Sequence, residues 1–218
     1  ILGIGVYHVA RATGQPHPEY WILFPLVVRA FGLLASLMGI LAARGREDED
    51  PMRALDRGYW VAAGLSAVAM VGVTQWMLGD LRFAVAGLIG ILTSIAFVYI
   101  TQYYTAGHWR PVREIAAASK TGHATNIIAG MAVGLETTAP TAIVISVALF
   151  LAYWLGTLSG IPHGGIYGTA IATMGMLMTA AYILSMDTFG PITDNAGGIT
   201  EMSRAPASAR RITDALDA

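Results

Sequence analysis

The chain has 218 residues, of which 55% are hydrophobic and only 12% are charged. Ordinary soluble domains carry about a quarter charged residues, so this composition excludes a typical soluble globular domain. The net charge of −1 argues against a nucleic-acid partner, and the absence of cysteine excludes disulfides and thiol chemistry.

The first ten residues are apolar but lack an initiator Met and the basic segment of a signal peptide. They predict the second half of a membrane-spanning helix, 1–10. The other end of the chain stops within a polar segment, 212–218. We therefore expect an internal fragment of a longer protein, with all of 1–218 in a single membrane domain.

Five long apolar runs follow the first segment. The hydrocarbon core of a bilayer is about 30 Å thick and requires roughly 20 apolar residues in a helix. The runs are continuous rather than alternating, which disfavours strands of a β-barrel. The sequence therefore predicts an all-α polytopic transmembrane helix bundle, with five complete spans and the tail of a sixth. The predicted complete spans are 21–43, 59–78, 83–106, 127–155 and 166–189.

Basic residues are distributed unequally between the segments that connect these spans. Ten of the 13 lie in 44–58, 107–126 and 190–218, and the opposite side has only Arg11 and Arg82. Because basic loops stay in the cytoplasm, the three segments are predicted to be cytoplasmic loops.

Three charged residues lie within or at the edge of these predicted spans, where a charge is costly, and two of them, Arg29 and Glu136, lie in the interior. Arg29 lies about 12 Å from the non-cytoplasmic end of its span, at 1.5 Å per residue. It either extends its guanidinium to the interface or forms a structural pair with an acid. Glu136 lies about ten residues into its span by the same count. It is either a structural, hydrogen-bonded carboxyl or part of a proton relay.

Asp187, at the end of the last span, is followed by Asp194 and Glu201 at intervals of seven residues. A continuous helix would place all three on one face, and Pro191 favours a kink because it cannot donate to the Asp187 carbonyl. Such a row of carboxylates suits either a divalent cation such as Mg²⁺ or the passage of a cation. Alternatively, Asp194 and Glu201 are ordinary solvated acids.

The order of the residues in this region is a more specific indication than their spacing. Residues 189–202 read FGPITDNAGGITEM and closely resemble a signature of the membrane-bound ion-translocating pyrophosphatases. The segments at 24–29, 103–105, 110–115, 125–128, 134–137 and 213–218 also resemble this family, in family order. Thr200 departs from the small apolar residue expected at its position.

The resemblance implies a homodimer of subunits with sixteen spanning helices, embedded in a lipid bilayer. Such proteins hydrolyse pyrophosphate at a cytoplasmic Mg²⁺ site and pump H⁺ or Na⁺, and K⁺ is a second candidate cofactor. By match to the motif, Asp194 would bind Mg²⁺ and pyrophosphate, Asp187 would couple hydrolysis to the ion path, and Asn195 and Glu201 would support them. We expect a multi-pass protein of a bacterial plasma membrane, with the fragment inactive by itself.

Two other interpretations remain at this stage. A secondary transporter or channel would use Asp187 and Glu136 as ion sites. A non-catalytic membrane scaffold would leave the acids without a role. Release of phosphate from pyrophosphate, dependent on Mg²⁺, discriminates both from a pyrophosphatase.

Overall fold

The computed structural model describes residues 2–45, 49 and 51–217. Within these residues the regular secondary structure is entirely helical. In chain order the helices are α1 (Leu2–Ala12), α2 (Tyr20–Ala42), α3 (Pro51–Met77), α4 (Leu81–Thr105), α5 (Arg110–Ser119), α6 (His123–Leu158), α7 (Gly164–Leu177), α8 (Ala180–Asp187), α9 (Phe189–Met202) and α10 (Ala207–Asp217).

Long apolar helices confirm the all-α transmembrane class. By length and hydropathy α2, α3, α6 and the pair formed by α4 and α5 are each able to cross a bilayer. A fifth span is possible if α7 and the segment from Ala180 to Met202 count together, and these two meet at a bend of 41°. The fold therefore has four or five candidate spans in the described part of the chain.

All three segments predicted as cytoplasmic loops contain helical residues. The segment 107–126 holds α5, which starts with Pro111 in its first turn, and 190–218 holds most of α9 and all of α10. In the predicted loop 44–58, α3 begins at Pro51. Residues 46–48 and 50 of that loop, including Arg46, lie outside the described residues, as do Ile1 and Ala218.

Helix α4 occupies the centre of the packing, in contact with α3, α6 and α7, while α2 packs against α3. Near the start of α2 and α4, the rings of Trp21, Phe83 and Tyr167 meet edge to face, with centroids 5.3–5.8 Å apart. The Tyr167 hydroxyl donates to the Trp21 carbonyl over 2.9 Å. This aromatic cluster joins α2, α4 and α7 at the end of the bundle opposite the predicted cytoplasmic side.

Small residues bring α4 and α7 into backbone contact. A Cβ on Gly175 would lie 2.0 Å from the Gly87 carbonyl oxygen, and one on Gly90 would lie 1.8 Å from that of Ala172. No side chain larger than hydrogen fits at such distances, so glycine is required for this close approach.

Candidate functional site

The last candidate span is broken in the middle of the bundle. Helix α7 ends at Leu177, α8 begins at Ala180, and Met178 and Thr179 between them are fully buried. A break of this kind leaves carbonyl oxygens without their helical donors, and no water is available in a hydrocarbon core to replace them. The neighbouring helices therefore have to supply the donors.

Helix α2 supplies them from one face. The Arg29 guanidinium donates to the Leu177 carbonyl, and the Ser36 hydroxyl lies 3.4 Å from the Met178 carbonyl, a long contact for a hydroxyl donor. Between these two residues, a Cβ on Gly32 would come within 2.9 Å of the Met178 carbonyl oxygen. Positions 29, 32 and 36 share one helix face, so α2 fits closely against the break.

A chain of buried hydroxyls holds the other side of the break. Thr179 Oγ1 lies 2.9 Å from Ser94 Oγ on α4, which lies 3.2 Å from the Tyr59 hydroxyl on α3. One turn further along α8, the Tyr182 hydroxyl donates to the Leu55 carbonyl of α3 over 2.7 Å. Helix α8 is thus tied to α3 and α4 as well as to α2.

A second interruption lies at Thr188, directly after Asp187. Helix α8 ends at Asp187 and α9 starts at Phe189. Pro191 falls in the first turn of α9, where its missing N–H would otherwise have bonded to the Asp187 carbonyl. The sequence predicts a disturbance here, whereas the bend of 41° lies ten residues earlier, at Met178 and Thr179.

The four predicted site residues in this region differ in their partners. Asp187 and Asp194 are exposed, and within the described part of the chain neither side chain forms a hydrogen bond or ion pair. Asn195 Nδ2 donates to the Pro191 carbonyl over 2.7 Å. Glu201 lies 3.4 Å from Arg210 of α10. Two carboxylates are thus available to a ligand, and the carboxylate of Glu201 is paired.

The donor chemistry of this helix fits a hard divalent cation, since carboxylate oxygens are the ligands that Mg²⁺ prefers. Among the residues that the structure describes, however, no group of three or more His, Cys, Asp or Glu side chains is placed to hold a metal ion. Asp194 therefore fits a Mg²⁺ site only if further ligands come from outside the described residues.

Glu136 lies in a polar cluster on the other side of the bundle. Its carboxylate is 2.5 Å from the Arg110 guanidinium and accepts a hydrogen bond of 3.2 Å from the Tyr104 hydroxyl. Arg110 also contacts Glu114 at 3.2 Å. The cluster joins α4, α5 and α6, which supports the structural interpretation of Glu136.

The pairing of α4 with α6 gives the position of Glu136 along the helix bundle. At one end Arg82 donates to the Leu158 carbonyl, and at the other Tyr104 donates to Glu136. The two hydrogen bonds are separated by 22 residues on α4, from Arg82 to Tyr104, and by 22 residues on α6, from Glu136 to Leu158. This separation is about 33 Å at 1.5 Å per residue. That distance is close to the thickness of the hydrocarbon core, so Glu136 lies about one core thickness from the Arg82 end of the helix pair.

Sequence reasoning did not identify Ser36, Ser94, Thr179 or Tyr59. Single hydroxyls in an apolar run give no signal of their own, because serine and threonine also bond back to their own helix in membrane spans. A polar residue on each of several helices at comparable depth would have been the only indication.

Fold and site together define a multi-pass α-helical membrane protein that presents free carboxylates at one end of a broken span. A family model described as "Inorganic H+ pyrophosphatase" matches residues 3–218, nearly the whole chain. The chain belongs to this family.

Individual relatives agree with this assignment. A protein of Moorella thermoacetica named "K(+)-insensitive pyrophosphate-energized proton pump 2" is 57% identical over 202 residues, which are 90% of this chain and 30% of the relative. The "K(+)-insensitive pyrophosphate-energized proton pump" of Caldanaerobacter subterraneus subsp. tengcongensis is 50% identical over 232 residues, covering 100% of this chain and 32% of the relative.

A more distant relative comes from Clostridium tetani. It is 35% identical over 196 residues, 90% of this chain and 29% of its own length, and its name contains the words "K(+)-stimulated" and "sodium pump". The chain thus spans about a third of the length of the curated relatives it matches.

Proposed function

We propose that this chain is part of a primary ion pump that couples Mg²⁺-dependent hydrolysis of pyrophosphate to the movement of H⁺ across a membrane. The observation that carries the proposal is the family match over residues 3–218. The exposed carboxylates of Asp187 and Asp194 at the end of a broken span support it. No observation favours a secondary transporter or channel.

The choice of H⁺ rests on the identities of the relatives. The two at 57% and 50% are named as K⁺-insensitive proton pumps, while the name with "sodium pump" and "K(+)-stimulated" belongs to the relative at 35%. The protein accordingly transports H⁺ and works without K⁺. Sodium transport is the alternative within the same family.

The residues take separate roles in this proposal. Asp194 binds Mg²⁺ and, through it, pyrophosphate, because its carboxylate is exposed and unpaired in the described structure. The metal supplies charge neutralisation for the phosphoryl oxygens. Asp187 lies about 10 Å away along the helix axis at 1.5 Å per residue, so it serves the coupling between hydrolysis and the ion path.

Asn195 and Glu201 support the position of α9 and do not bind the ligand themselves. The Asn195 side chain bonds to the carbonyl of Pro191, where α9 begins, and Glu201 joins α9 to α10 through Arg210. The basic side of the bundle is cytoplasmic, the membrane is a bacterial plasma membrane, and the subunits form a homodimer, as the family resemblance implies.

The direct test is the hydrolysis of pyrophosphate by the whole protein that carries this chain, in native membranes. Phosphate release should require Mg²⁺ and continue without K⁺. Absence of Mg²⁺-dependent phosphate release in membranes that contain folded protein would reject the proposal. A strict requirement for K⁺ would reject only the K⁺-independent form of it.

A further inference from the structure

We propose that Arg29 is a positioning residue: by holding the Leu177 carbonyl at the break in the last span, it sets the direction of the α8–α9 segment. This inference rests on the proposed function, because α8–α9 carries Asp187 and Asp194. Neither the family motif nor the sequence periodicity assigns such a role to Arg29.

The chemistry of the break favours a cationic donor. Helix α7 points its C-terminal carbonyls, the negative end of its dipole, at the buried Met178 and Thr179. A guanidinium is always charged and has five N–H donors in a planar fork, so it can satisfy these oxygens where water is absent. Arg29 makes this contact, and within the described residues it forms no ion pair with an acid.

The contacts around the break converge on α8. Arg29 and Ser36 of α2 hold the carbonyls before it, and Ser94 of α4 holds Thr179 at its start. Helix α9 packs only against α8 and α10 to any substantial extent in the described structure. The direction of α9 therefore follows that of α8, which is held at the break by α2 and α4 and one turn later by the Tyr182–Leu55 hydrogen bond.

The length of the α8–α9 segment turns a small change of angle at the break into a large displacement at its far end. Ile199 on α9 lies 21 residues beyond Met178, or roughly 30 Å at 1.5 Å per residue. A change of about 10° at the break would move this part of α9 by about 5 Å over that length. Asp194 would move by nearly as much, which is far more than a metal ligand tolerates. A small change in the angle at the break therefore displaces the proposed metal-binding residue Asp194.

Arg82 provides a matched control for Arg29. It also donates from its guanidinium to the terminal carbonyl of a helix, Leu158 of α6, but it does so away from the break. Arg29→Met and Arg82→Met remove the same kind of contact at two places. Any general loosening of the bundle should affect both variants alike.

The experiment measures distances between spin labels in the whole protein, reconstituted in lipid vesicles. Labelled cysteines replace Leu41 on α2 and Ile199 on α9, both exposed, after any cysteine outside this cysteine-free chain is removed. A second pair, Leu41 with the exposed Val68 on α3, reports on packing that does not involve the break.

We expect Arg29→Met to shift or broaden the Leu41–Ile199 distances by about 5 Å, as the length of the α8–α9 segment predicts, and to leave the Leu41–Val68 distances unchanged. Arg82→Met should leave both pairs unchanged. Hydrolysis of pyrophosphate should fall about tenfold or more in Arg29→Met, as misplacement of reacting groups implies, and Arg29→Lys should restore at least half of it. Should Arg29→Met fail to accumulate, Arg29→Gln is expected to show an intermediate shift.

Unchanged Leu41–Ile199 distances in Arg29→Met or Arg29→Gln would overturn the inference, as would an equal shift in Arg82→Met. The distance measurement does not depend on catalysis. If the unmodified protein released no phosphate from pyrophosphate, the proposed function would fail while the positioning of α8–α9 remained testable.

Discussion

Asp194 and Glu201 lie seven residues apart on the same helix, but their side chains differ in their partners. Glu201 is paired with Arg210, and Asp194 has no side-chain partner in the described structure. An unpaired carboxylate beside a buried neighbour, Thr193, is available to a ligand without first breaking an ion pair. This difference makes Asp194 the stronger candidate for the metal.

The first prediction concerns Asp194→Asn in the whole protein. Removing a metal-binding carboxylate from a phosphate site removes charge stabilisation in the transition state, so hydrolysis should fall by about 100-fold or more. The remaining activity should require more Mg²⁺, measured as phosphate release over a Mg²⁺ titration. Glu19→Gln, in the exposed segment before α2, is the control and should stay within about twofold of the unmodified protein, as surface changes usually do. Unaltered rate and Mg²⁺ dependence in Asp194→Asn would contradict the assignment.

The second prediction concerns Glu136→Gln. The Glu136–Arg110 pair is exposed and such pairs contribute less than about 1 kcal/mol, so the variant should fold and keep at least half of its hydrolysis. Proton transport per pyrophosphate should also be unchanged, measured in the same vesicles. Loss of transport with hydrolysis intact would move Glu136 from a structural role to the ion path.

At the scale of the helix, the sequence predicted long apolar helices but not the break. A continuous apolar run is enough to predict a span such as 21–43, and α2 covers Tyr20–Ala42. The break at Met178 and Thr179 carries no glycine or proline of its own. Its cause is tertiary, because Arg29, Gly32 and Ser36 of α2 accommodate the interrupted backbone. Pattern recognition along one helix cannot detect donors on another.

The same limit applied to Glu136. Its place about ten residues into a predicted span gave no sign of its partners, Tyr104 of α4 and Arg110 of α5, which meet it because α4 and α5 pack against α6. The motif at 189–202, in contrast, was recognisable from sequence because its identity depends on residue order and not on packing.

The third prediction concerns the contact of α4 with α7. Gly175→Ala would place a Cβ 2.0 Å from the Gly87 carbonyl oxygen, so the helices must separate, at a cost of about 1–3 kcal/mol or more. The thermal midpoint in detergent should fall clearly. Gly64→Ala on α3 is the control, because no atom lies within 4 Å of a Cβ there, and its midpoint should not fall. Equal midpoints for the two variants would contradict the close approach.

At the scale of the whole molecule, the fourth prediction concerns orientation. With ten basic residues on one side and two on the other, the basic side should be cytoplasmic. Single cysteines at Ser119 or Ser208 should resist an impermeant thiol reagent in intact cells, and one at Ser159 should react. Permeabilised cells provide the control, since all three should then be modified. The reverse pattern in intact cells would invert the topology.

The central claim is that this chain belongs to a pump in which pyrophosphate hydrolysis drives H⁺ across the membrane. Its most direct test uses the whole protein in sealed vesicles with the basic side outward and a pH-sensitive dye inside. Addition of pyrophosphate with Mg²⁺, in the absence of Na⁺ and K⁺, should acidify the lumen, and a protonophore should abolish the signal. An unchanged lumen pH while phosphate is released, or acidification that requires Na⁺, would contradict the account.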